Sequence, residues 1–260
     1  MHSNEVYAFI LTMIAGMATA VGSLVAFFTK KTNTKLLAAS LGFSAGVMIY
    51  VAMAELYIKS REYLINAYDA NFGGAIWVIS FFAGILLIAL IDYFVPSTEG
   101  DIGNLNDKEK NESLRKMGVL MAVAMAVHNF PEGLVTFTSS LKDARVGIMI
   151  ALAIAIHNIP EGITTSLPIF FATGNRRKAF VISFLSGITE PLGAIVGYTI
   201  MRPFMSDSLI GILYGVISGI MIFIAIEELL PMAREYEKSK ITILSVVVGM
   251  LVMAVSILLL

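Results

Sequence analysis

Eight apolar runs dominate this chain, at 6–28, 36–58, 74–95, 117–139, 147–171, 179–200, 209–230 and 241–260, and none of them contains a Lys or Arg. Each is long enough to cross a bilayer as a helix. Hydrocarbon offers no water to backbone N–H and C=O groups, so only helices and closed barrels can span it. A barrel strand needs only about 10 residues of alternating character, so runs of this length and uniformity read as helices. The expectation is an all-α polytopic membrane protein of eight transmembrane helices forming one transmembrane domain over 1–260. Composition agrees, with 57% apolar residues, 14% charged residues and a mean hydropathy of +0.83.

A net charge of −1, with basic residues dispersed among the connections, gives no footprint for nucleic acid. The absence of cysteine removes disulfides and thiolate ligands together, leaving imidazole, carboxylate and amide groups to hold any metal. The first five residues lack the basic region and cleavage site of a secretory signal, so the first run reads as a retained span. The longest connection, 96–116, is polar, of mixed charge, and reads as a cytoplasmic loop. With the N-terminus outside, the cytoplasmic connections carry thirteen Lys and Arg and the outer ones five. Both termini are therefore expected outside, in a multi-pass protein of the cell membrane.

Two internal repeats organise the chain. Aligned without gaps, 42–56 and 215–229 are identical at seven of fifteen positions, including Gly42/Gly215, Gly46/Gly219 and Glu55/Glu228. Spans one and six correspond through Gly22/Gly193 and Val25/Val196, with Thr19 standing where the other half has Glu190. Spans two and seven cross in opposite directions, so this is the pattern of an inverted repeat of spans 1–3 and 6–8 around a central pair 4–5, an organisation common in carriers.

The central pair carries the chemistry. His128-Asn129-Phe130-Pro131-Glu132-Gly133 in span four returns as His157-Asn158-Ile159-Pro160-Glu161-Gly162 in span five, 29 residues on. One helix out, a tight turn and a second helix back set the two phrases face to face at similar depth. His128 and Glu132 share a helical face, as do His157 and Glu161, and two such faces suit Zn²⁺. Asn129 and Asn158 point about 100° round their helices and could hold a second ion, with Glu161 or Glu132 bridging. Pro131 and Pro160 are expected to kink the helices and free carbonyls toward a polar cavity. Glu190, followed by Pro191 and Gly193, is the natural further ligand. Ionised acids at mid-bilayer cost about 2.5–3.5 kcal/mol each, and with no Lys or Arg in the spans a bound cation is the simplest compensation. Glu55 and Glu228 lie toward span ends, where admission or release of cations competes with an ordinary solvated acid. Asp92 and Glu227 read as interfacial, the fifteen methionines as packing, and His2 as a terminal residue.

At these residues the chain resembles the ZIP (Zrt/Irt-like) family of divalent-metal transporters, most closely its bacterial GufA-type branch, over essentially its whole length. The resemblance implies a binuclear site at mid-membrane, with His128, Glu132, His157 and Glu161 at the first metal position and Asn129, Asn158, Glu161 and Glu190 at the second. It implies uptake of Zn²⁺, with Fe²⁺, Mn²⁺ or Cd²⁺ as further substrates, in a homodimer surrounded by lipid. The metal is cargo, and no cofactor is expected. Many relatives carry a histidine-rich third loop, whereas 96–116 has no histidine.

The functional reading is therefore an uptake carrier working by alternating access, and not an enzyme. Two alternatives stand beside it. A gated cation channel would show flux that tracks voltage without saturating. An intramembrane metal-dependent hydrolase would need a catalytic base, and the phrase lacks the His-Glu-x-x-His spacing of zincins.

Overall fold

The computed structural model describes residues 3–30, 34–94, 107–142, 144–201, 206–237 and 240–259, and among these there is no strand. Eleven α-helices follow in order: α1 Ser3–Ser23, α2 Val25–Phe28, α3 Thr34–Val51, α4 Tyr57–Ala67, α5 Ala70–Phe94, α6 Asp107–Lys142, α7 Ala144–Thr173, α8 Arg176–Val196, α9 Asp207–Phe223, α10 Leu230–Tyr236 and α11 Ile241–Leu259. Six stretches among the described residues are long and apolar enough to cross a membrane: Asn4–Phe28, Thr34–Ala67, Ala70–Tyr93, Arg176–Ile200, Asp207–Tyr236 and Ile241–Leu258. α6 and α7 are 36 and 30 residues long.

Several helices outrun the apolar runs that announced them. π-helical turns at Ala52–Leu56 and Ile224–Leu229 carry α3 into α4 and α9 into α10 without a break. Thirty-four residues from Thr34 to Ala67 make a rod of about 50 Å, longer than the roughly 30 Å hydrocarbon layer, so its ends reach the headgroups. α6 starts at Asp107, ten residues before the expected span, so part of the expected 96–116 loop is helical. The stretch 107–116 is charged but contains strong helix formers and neither Gly nor Pro, and Arg115 pairs with Glu112 one turn back at 2.6 Å. Positions 96–106 lie outside the described residues.

Where helices stop, short polar groups take over the orphan backbone bonds. Asp69 accepts from the N–H groups of Asn71 and Phe72 at 2.8 and 2.9 Å and starts α5. Asn175 caps α8 by accepting from the Lys178 N–H at 2.9 Å, directly after Gly174, whose φ of 69° is the left-handed conformation that ends α7. Ser206 caps α9 through the Leu209 N–H at 3.2 Å. The first span breaks at Leu24, next to Ser23, whose hydroxyl donates to the Ala20 carbonyl at 2.7 Å and so competes with the helical bond there.

The helices pack in two groups that cut across the sequence halves. α1, α6, α7 and α8 pack on one another, while α3, α4, α5, α9, α10 and α11 form the second body. The expected sequence halves are thus not the packing units: α1 and α8 join α6 and α7, while α3, α5, α9 and α11 join each other. The seam runs chiefly between α3 and α7, where Ser44 donates to the Pro160 carbonyl at 3.0 Å. A cavity of about 320 Å³ lies along it, lined by Ala39, Phe43, Ile163, Leu244, Ser245 and Val248 among others. Outward faces are apolar, as with Ile79, Phe82 and Leu86 on α5 and Ile243, Leu244 and Leu251 on α11, which suits a lipid solvent.

Candidate metal site

All the candidate ligands lie in the first group of helices, the motif residues on α6 and α7 and Glu190 on α8. The two motif helices run unbroken through Pro131 and Pro160. The Pro160 carbonyl accepts from Thr164 at 2.8 Å as well as from Ser44 across the seam. The side chains of His128 and His157 fall outside the described residues, although their backbones lie in α6 and α7.

The remaining five candidates are buried: Asn129, Asn158 and Glu190 at 0% exposure, Glu161 at 1% and Glu132 at 4%. Five polar side chains, three of them acidic, are thus removed from water within one four-helix group, a costly arrangement unless each is held. Asn158 donates from Nδ2 to Glu190 Oε2 at 2.8 Å and to the Ala15 carbonyl at 3.0 Å, tying α7, α8 and α1 together. Asn129 donates from Nδ2 to the Ser186 carbonyl at 3.3 Å, tying α6 to α8. Both amide nitrogens being spent on donation, each Oδ1 is turned elsewhere, and the Oδ1 atoms of Asn129 and Asn158 are buried with no hydrogen-bond partner. A buried acceptor without a donor is what a cation satisfies. Among the described residues no three His, Asp or Glu side chains converge on one point, and what is described there is a buried set of amides and carboxylates.

Close helix approach makes this placement possible, and two glycine pairs impose it. A β-carbon at Gly133 would land on the Glu190 carbonyl oxygen, and one at Gly193 on the Phe130 carbonyl oxygen. Likewise one at Gly162 would meet the Thr19 carbonyl oxygen, and one at Gly22 the Ile159 carbonyl oxygen. The motif glycines are therefore the contact points at which α6 meets α8 and α7 meets α1. Sequence reasoning had given α1 no part in the site, yet α1 supplies the Ala15 carbonyl and the close contact at Gly16, whose β-position lies 3.2 Å from Glu190 Oε2. A signal was present: Gly16 and Gly187 stand at the same 171-residue offset as Gly22 and Gly193.

The outlying acids have ordinary partners. Glu55 pairs with Lys59 at 2.8 Å on a partly exposed helix face, and Glu228 lies near Asp92 of α5. Both Glu55 and Glu228 sit in π-helical turns at matching repeat positions. Tyr214 is buried on α9, its ring 5.9 Å from that of Tyr63 on α4.

Long apolar helices enclosing a desolvated cluster of amides and carboxylates are those of a multi-pass membrane protein. Comparison with known proteins says which kind. The ZIP zinc transporter family model matches residues 95–257, and the chain belongs to that family, one of transporters and not of enzymes. It is 50% identical to the zinc transporter ZupT of Lysinibacillus sphaericus (strain C3-41) over 268 aligned positions, spanning 100% of both chains. It is 51% identical to the zinc transporter ZupT of Chlorobium chlorochromatii (strain CaD3), covering 100% of this chain and 99% of that one, and 51% identical to that of Streptococcus mutans serotype c, covering 97% of each.

Proposed function

We propose that this protein carries Zn²⁺ from outside the cell into the cytoplasm through a binuclear site of His128, Glu132, His157 and Glu161 with Asn129, Asn158 and Glu190. Fe²⁺, Mn²⁺ and Cd²⁺ are the further substrates of this reading, because a His/Asn/carboxylate set accepts several first-row ions. The observation that carries it is the pair of buried amide oxygens on Asn129 and Asn158, each left without a donor while its own nitrogen is locked to a helix carbonyl. Full-length similarity to proteins named zinc transporters supports the choice of metal.

The eight-span topology with both termini outside, and the inverted repeat, belong to the same proposal. Reciprocal contacts support the repeat: Gly46 packs against the Val246 carbonyl as Gly219 packs against that of Phe81, and Gly249 against Phe43 as Gly84 against Val216. In this reading the group α1, α6, α7 and α8 carries the ion and moves against the second body along the α3/α7 seam, exposing the site to each side in turn. The ion exchanges water for amide, carboxylate and imidazole groups on entering. Shared carboxylates and neutral amides bind loosely enough to release it. A homodimer in lipid completes the proposal.

Uptake of ⁶⁵Zn into proteoliposomes, with unlabelled Fe²⁺, Mn²⁺ and Cd²⁺ as competitors, tests it. Saturable uptake that is lost in a His128→Ala/Glu161→Ala double variant is expected. Unsaturated, voltage-driven flux would make it a channel, and uptake unchanged in the double variant would remove the site assignment.

A further inference from the structure

We propose that Thr19 is a further ion-binding residue, its hydroxyl completing the oxygen shell of the transported ion on the Asn129 side, opposite Glu190. The proposal rests on reading the Asn/Glu cluster as the ion site. Threonines in these helices usually return their hydroxyl to the carbonyl four residues back, as Thr12 does to Ala8 at 3.0 Å, Thr136 to Glu132 at 2.9 Å, Thr164 to Pro160 at 2.8 Å and Thr173 to Ile169 at 2.6 Å. For Thr19 that carbonyl is Ala15, which is engaged by Asn158 Nδ2. Thr19 is 0% exposed, and its Oγ1 has no hydrogen-bond partner. A wholly buried hydroxyl that forgoes its usual backbone bond is expensive unless another group meets it.

Its position says what that group is. Across the α1/α8 contact, Glu190 Cβ and Oε2 stand 3.1 and 3.2 Å from the β-position of Gly16, while Thr19 Cβ and Oγ1 stand 2.9 and 3.2 Å from that of Gly187. The two side chains thus occupy matching places on either side of the Gly16–Gly187 approach. Around each, an asparagine is tethered alike: Asn158 to the Ala15 carbonyl beside Glu190, and Asn129 to the Ser186 carbonyl, the position matching Ala15. On one side the amide meets a carboxylate. On the other, Asn129 Oδ1 and Thr19 Oγ1 are both buried acceptors with no partner. Two neutral oxygens there and a carboxylate opposite give the ion one strong and one weak side, so a hard-oxygen contact is lost without charge when Thr19 is altered.

The test uses the full-length protein in proteoliposomes, with KM and Vmax for ⁶⁵Zn and a competition series of Mn²⁺ and Cd²⁺, on Thr19→Val, Thr19→Ser, Thr19→Ala and Glu190→Gln. Val keeps the β-branched shape and removes the hydroxyl; Ser keeps the hydroxyl. Expected are a rise in KM of about tenfold for Thr19→Val and Thr19→Ala, the scale seen when a contact supporting a metal site is removed. Thr19→Ser should stay near the parent, and Mn²⁺ should lose competitive strength in Thr19→Val more than Cd²⁺ does. Glu190→Gln uptake lost while Thr19→Val and Thr19→Ala keep the parental KM and metal ranking overturns the Thr19 proposal and leaves the site standing. Parental uptake in Glu190→Gln overturns both. A lower melting temperature in Thr19→Val and Thr19→Ala with KM and metal ranking unmoved marks a packing role and also overturns it.

Discussion

Gly133→Ala should open the α6/α8 contact at the candidate site without replacing a candidate ligand. A methyl group there would fall on the Glu190 backbone, with its carbonyl carbon at 2.5 Å and its Cα at 2.9 Å. Carbon atoms rest comfortably at about 3.5–4.0 Å, so α6 and α8 must part by about 1 Å, and no flexible side chain is there to yield instead. Overpacking of this kind costs about 1–3 kcal/mol, enough to lower the melting temperature by a few degrees. The larger effect is on transport, because the shift moves Glu190 away from the asparagine and glutamate groups of α6. A misplacement of about 1 Å in a preorganised site costs on the order of a hundredfold, so ⁶⁵Zn uptake should fall by about 10- to 100-fold with the protein still inserted. Gly74→Ala is the matched control: nothing lies within 4 Å of its β-position in α5, and the added methyl favours the helix by up to about 1 kcal/mol. Parental melting and parental uptake in Gly133→Ala would refute the close α6/α8 contact and with it the placement of Glu190 beside the motif.

Asn158→Ala removes both the hydrogen bond to Glu190 and the tether to the Ala15 carbonyl, and leaves a buried carboxylate short of a donor. Zinc uptake should fall by at least about tenfold, with loss in KM outweighing loss of folded protein as judged by size-exclusion chromatography. Arg176→Ala should do the reverse. Its guanidinium donates to the Ala26 and Thr29 carbonyls at 3.2 and 3.3 Å, where α2 ends, and lies 5.0 Å from the Phe170 ring centre. Losing it should cost about 1–3 kcal/mol in thermal unfolding, while KM for zinc stays at the parental value.

The all-helical, membrane-spanning character and the twice-written motif were legible in the sequence because each rests on local chemistry. Apolar runs must be helical in lipid, whatever they pack against. His-Asn-x-Pro-Glu-Gly, written twice, singles out its candidate ligand types, and the conjunction of Gly42, Gly46 and Glu55 with Gly215, Gly219 and Glu228 is visible by eye. Helix ends were less legible. Amphipathic stretches such as 107–116, and the continuations of α4 past Ile58 to Ala67 and of α10 past Leu230 to Tyr236, carry charge where an apolar run stops, yet still form helix.

Packing was the part that sequence could not supply. Matching glycines relate α1 and α8 in the sequence, but which helices touch depends on where small residues let backbones meet, and that is a property of two surfaces at once. Only the tertiary structure brings α1 against α7 and α8, so that Ala15 holds Asn158, Gly16 admits Glu190, and Thr19 arrives opposite it. The sequence by itself determined a membrane-spanning helical chain with a cation-binding vocabulary. The fold decided which carbonyls occupy the amide nitrogens, and so which amide oxygens are left buried without a partner.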